Sequence, residues 1–216
     1  MRSIIILTTL LGFACSLNAG SARADLVARY AMGKETIVLS YRDDQHIRVD
    51  RGQLGYSIIN GDQAIAVLQQ GGARVVMNVD EMGGILNNAQ NEQQLTIPDS
   101  KAVSLTPTGQ FSDVAGIKGR VYTASDGRAK YLTVLTDRAD VVKASDGLRH
   151  FFRRFASSMK NERGNKLLAL ENAFNEQKDS GVLQVEGGFK LISINQQARP
   201  DNFYTPPPIG IQFPNQ

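Results

Sequence analysis

Turn signals fall so close together between residues 25 and 78 that this part of the chain has room for strands and little else. TIVLSY (36–41) is rich in residues that favour strands, and Asp43-Asp44 turns the chain. HIRVD (46–50) alternates, with Ile47 and Val49 on one face. GYSII ends at Asn60-Gly61-Asp62, a hairpin signal, because asparagine and glycine tolerate the positive φ of tight turns. QAIAVL (63–68) puts Ala64, Ala66 and Leu68 on one face and Ile65 and Val67 on the other. Gly71-Gly72 then returns the chain into RVVMNV. The spacing predicts an antiparallel meander.

Residues 82–100 break the pattern with Gly83-Gly84 and an amide-rich run, which reads equally as loop or short helix. Strands resume with AVSLTP. GIKGRVYTA and AKYLTVLT then flank a second hairpin signal, Ser125-Asp126-Gly127-Arg128. Two helices are expected next, one starting at Ser145-Asp146 by N-cap chemistry and one from Asn165. VLQVEG and FKLISI form a last strand pair around Gly187-Gly188, and three prolines favour an extended tail. The order predicts an α+β fold: a curled antiparallel sheet with helices on one face.

The N-terminus reads as a signal peptide over residues 1–24. Arg2 precedes an apolar run (4–14) too short to span a bilayer, and Ala22-Arg23-Ala24 offers small residues to a peptidase cutting before Asp25. The expected location is the bacterial periplasm, with residues 25–216 forming one domain. The whole chain has a formal net charge of +3, and losing Arg2 and Arg23 brings it to +1. A nearly neutral chain gives no reason to expect nucleic acid. The one cysteine, Cys15, leaves with the leader, so disulfides do not staple the mature fold.

GLRHFFRRFASSMK (147–160) is the most specific pattern in the mature chain. On a helical wheel, Leu148, Phe151, Phe152, Phe155 and Met159 fall within an arc about 100° wide, the width of a surface helix packed on a core. Arg149, His150, Arg153, Arg154 and Lys160 fall opposite. Such a helix can be ordinary core, a lid over an apolar cavity, or an element lying on anionic lipid. It suits nucleic acid least, since the aromatic face and the basic face point apart.

DLVARYAMG, YRDDQHIRVD, VAGIKGRVYTASDGRAKYLTVLT and GVLQVEGGFKLISINQQARPDNFYTPPPIG together resemble exported proteins related to the lipoprotein carriers LolA and LolB. The resemblance covers nearly all of 25–216 and rests on element order and short motifs. It implies an incomplete antiparallel β-barrel whose open side is covered by helices over an apolar cavity, and hence a half-barrel domain with a lid or plug. The chain has no Trp and so lacks the tryptophan-bearing loop of LolB-type acceptors. For the interior arginine of LolA-type carriers, Arg29 and Arg48 are the candidates.

No catalytic or metal-binding constellation appears. His46 and His150 sit in no ligand-spaced motif, and Asp43-Asp44 and Asp80-Glu81 read as turn or surface charges. Neither a nucleophile elbow nor a phosphate-binding loop is present. The expectation is a non-catalytic protein without cofactor or metal, binding a lipid or other hydrophobic ligand under Leu148, Phe151, Phe152, Phe155 and Met159. The alternative is an envelope scaffold that recognises a protein partner through 82–100 or the tail and has no small ligand. Contact with an anionic membrane surface is a third reading.

Overall fold

The computed structural model describes residues 24–80, 104–125, 129–158 and 180–213. The meander is six strands: β1 (Ala24–Met32), β2 (Glu35–Asp43), β3 (His46–Asp50), β4 (Gly55–Asn60), β5 (Gln63–Gln70) and β6 (Ala73–Asn78). After it come β7 (Ser104–Val114), β8 (Ile117–Ser125) and β9 (Lys130–Thr136), then a helix, α1 (Ala139–Ser158). β10 (Gly181–Val185), β11 (Phe189–Ala198) and β12 (Gly210–Gln212) complete one 12-stranded sheet, ordered β12-β6-β5-β4-β3-β2-β1-β11-β10-β9-β8-β7. Every described pairing is antiparallel.

The hairpins follow from turn chemistry. Asn60 pairs with Gln63, so Gly61 and Asp62 form a two-residue turn, with Gly61 at φ 57°. Val114 pairs with Ile117 across Ala115 and Gly116, both at positive φ, the shape that matches strand twist.

The sheet is open and does not close into a barrel, and α1 is the one long helix among the described residues. The helix anticipated from Asn165 and the segment 82–100 lie outside those residues, as do the leader and Met159. The expected helix start at Ser145-Asp146 is corrected: α1 begins at Ala139 and runs through both residues and Gly147.

Alternation divides each strand between two environments. One face carries Leu26, Ala28, Tyr30, Leu39, Ile47, Val49, Ile59, Ala64 and Ala66. These share one buried cluster with Val121 and Val134 of the other half of the sheet and with α1. The opposite face carries Asp25, Arg42 and Arg48, and a smaller apolar cluster of Ile65, Val67 and Val76. β11 sits mid-sheet and β12 at the edge beyond β6, so the tail between them crosses this second face as a strap.

Candidate ligand-binding face

α1 is seated on the first face by close backbone contact. A Cβ built on Gly147 would lie 2.6 Å from Cδ2 of Tyr41, so the helix crosses β2 where only glycine leaves room for the ring. A Cβ built on Gly181, which opens β10, would likewise fall 2.6 Å from backbone atoms of Val141 and Val142. Ser145 Oγ accepts a 2.8 Å hydrogen bond from the Val182 amide, tying helix to strand. Beyond these anchors, Leu148, Phe151 and Phe155 are buried in the main cluster, and Phe152 packs half-buried at its margin. The Phe151 and Phe155 rings lie 4.3 Å apart, and Phe152 meets Phe151 edge-on at 5.7 Å.

The basic side of α1 is engaged by acids. Arg154 donates two 2.7 Å bonds to Asp80 and a third to the Asp62 carbonyl, so Asp80 pins the helix to the end of the meander. Arg149 pairs with Asp146 and reaches the Ser180 carbonyl. These partners reduce the basic surface available to anionic lipid.

Beneath α1 lies a polar atom in an apolar setting. Tyr30 is fully buried, edge-on to Phe189 at 5.4 Å, and its hydroxyl has no hydrogen-bond partner among the described residues. Burial raises its pKa well above the ordinary tyrosine value. Ser145 opposes part of that rise, yet it falls short of hydrogen-bond geometry with Tyr30.

The other face holds a network that the sequence reading did not reach. Arg42 Nε donates to Asp25 Oδ1 at 2.8 Å, its Nη1 to Asp201 at 2.7 Å and its Nη2 to the Arg199 carbonyl at 2.9 Å. Tyr204 donates to Asp25 Oδ2 at 2.7 Å. The hydrogen bond to Asp25 raises the pKa of Arg42 above its already high ordinary value. Burial, and then the bond to the Asp25 carboxylate, raise that of Tyr204. Period-two counting from Leu39 and Tyr41 was the signal available, since it puts Arg42 on the face away from α1. Arg29 is exposed and Arg48 also lies on the far face, so neither points beneath the helix. His46 is partly buried, with Nδ1 2.7 Å from Asp43 and its ring against Tyr204.

Among the described residues, no group of three or more His, Cys, Asp or Glu is placed to hold a metal ion. No described helix is long and apolar enough to cross a membrane. The site defines a class: an antiparallel sheet protein with an amphipathic helix packed across one face and a tail strapped across the other. No protein-family model, curated protein or solved structure matches the chain. The likeness to LolA and LolB therefore stands on element order and the short motifs alone.

Proposed function

We propose that this is an exported, non-catalytic periplasmic protein of the LolA/LolB-like kind. It holds a lipid or other acyl-chain ligand between α1 and the sheet, which acts as an incomplete barrel with the helix as its lid. The observation that carries this reading is the Tyr30 hydroxyl, fully buried in the main apolar cluster beneath α1, with Ser145 as its polar neighbour and no bond in hydrogen-bond geometry among the described residues. Leaving a buried hydroxyl unpaired costs about 1–3 kcal/mol. An acyl ester or acid would accept its hydrogen bond while the chain lay among the aromatic side chains. Because Leu148, Phe151 and Phe155 already fill the cluster, the ligand enters by lifting the distal half of α1, where the Asp80–Arg154 pair is solvent-accessible. Tyr30→Phe tests this. Removing the orphan hydroxyl should leave apo stability unchanged or raised while weakening fatty-acid binding. A binding constant equal to wild type would refute the assignment.

A second reading, an envelope scaffold recognising a protein partner, is favoured by one observation. Ile209, Ile211 and Phe213 are 58%, 64% and 57% exposed at the end of the strap. Truncation from Pro206 spares the buried Tyr204 and removes this surface. Loss of partner recovery with the fold intact would support the scaffold, and unchanged recovery would count against it.

A further inference from the structure

An open cleft of about 550 Å³ lies on the strap face, between the 3-10 turn Gly52–Leu54 and the β5–β6 turn. Glycine shapes it. Gly55 sits at φ 114°, and a Cβ there would fall 2.0 Å from the Val67 carbonyl oxygen, so only glycine lets β4 start against β5. Gly71 and Gly72, at φ 58° and 81°, form the far rim. The volume is within the usual range for small-molecule sites, about 300–1,000 Å³.

The lining narrows the ligand class by elimination. Arg48 lies between two rings, 3.9 Å from the centroid of Tyr56 and 4.5 Å from that of Phe203. It is also pinned to Asp50 through Nε at 3.0 Å and Nη2 at 2.7 Å. The two charges neutralise each other inside the cleft, so it offers little to an ion of either sign. β3, β4 and β5 are each paired on both sides, so a peptide cannot dock by strand addition. Gln53 and Gln69, both exposed, each present an amide donor and acceptor, and a carboxylate held by arginine retains acceptor capacity. A lipid tail would desolvate these groups without replacing their hydrogen bonds. What fits is a neutral molecule dense in hydroxyls that bonds the glutamine amides and the Asp50 carboxylate, since the Tyr56 ring is already covered by Arg48 and packs on the Ile65, Val67 and Val76 cluster.

We infer that this cleft is a carbohydrate-binding site, taking a short stretch of neutral glycan. The ring–guanidinium–ring stack fixes Arg48 before the ligand arrives, which spares the entropy of ordering it on binding. The site lies on the face opposite α1 and is independent of the lipid proposal.

Saturation-transfer NMR of the chain with chitotriose, maltotriose and cellotriose tests it. Transfer to at least one trisaccharide is expected. The double variant Gln53→Ala/Gln69→Ala should weaken that binding about tenfold or more through lost hydrogen bonds. Both positions are exposed, so its Tm and any lipid adduct should stay at wild-type values. No transfer to any of the three sugars, or undiminished transfer in the double variant, would overturn the inference.

Discussion

The Tyr204 hydroxyl donates a 2.7 Å hydrogen bond to Asp25, joining the start of β1 to the strap across 179 positions of sequence. Asp25 is fully buried and also holds Arg42. Removing the carboxylate takes away the buried counter-charge of Arg42 and leaves its guanidinium only the solvent-exposed Asp201 and the Arg199 carbonyl. Asp25→Ala should cost about 3–5 kcal/mol, measured by urea unfolding. Asp201, also bonded to Arg42, has a side chain 99% exposed, so Asp201→Ala should change stability little. Equal losses from the two variants would contradict the network as described.

Alkaline pH should act through the buried tyrosines. Tyr30, Tyr41 and Tyr204 all have folded-state pKa values raised above the ordinary 10.0, chiefly by burial. Their neutral forms are favoured in the fold, so this stability is complete below pH 10 and lost as pH rises further. Above pH 10 the unfolded chain binds fewer protons, and each tyrosine steepens the decline by about 1.4 kcal/mol per pH unit. Tyr204→Phe should flatten the alkaline limb by one proton, read from unfolding free energy against pH. An unchanged slope would exclude Tyr204 as a contributor.

Gly147 sets two effects against each other. Alanine is a better helix former by about 1 kcal/mol. Its Cβ, however, would meet the Tyr41 ring at 2.6 Å, and that ring is held by a 2.7 Å bond from its hydroxyl to Asp44. Overpacking costs about 1–3 kcal/mol, so Gly147→Ala should be net destabilising. A gain in Tm would show that α1 stands further from β2.

Two positions on α1 let a core role and the proposed lid role be tested apart. Phe151→Ala, at a buried position, should cost about 3–5 kcal/mol. Phe152 is half-buried at the cluster margin, so Phe152→Asp should keep the β-sheet circular dichroism signal and lose ligand retention. A folded Phe152→Asp variant that still retains ligand would remove the lid.

The legible parts were those set by local chemistry. Asn60-Gly61-Asp62, Gly71-Gly72 and Gly187-Gly188 declared their turns, and alternation assigned Ala64 and Ala66 to the face opposite Ile65 and Val67. Leu148, Phe151 and Phe155 followed from helical spacing. The helix start was misread because Ser145-Asp146 offers N-cap chemistry in sequence, whereas the Ser145 hydroxyl accepts from the Val182 amide of a strand far away in the chain. β12 was missed because three residues pair with a strand from the other end of the domain, which no local pattern encodes. Arg42 escaped for the same reason: Asp25, Asp201 and Tyr204 gather around it only once the strap has crossed the sheet.

The most direct measurement is native mass spectrometry of the chain from Asp25 onward, purified from a bacterial periplasm. Spectra would be taken before and after organic extraction and again after incubation with oleate. The account expects a lipid-mass adduct that extraction removes and oleate restores, weakened in Tyr30→Phe. An apo mass in all three spectra would contradict ligand binding beneath α1.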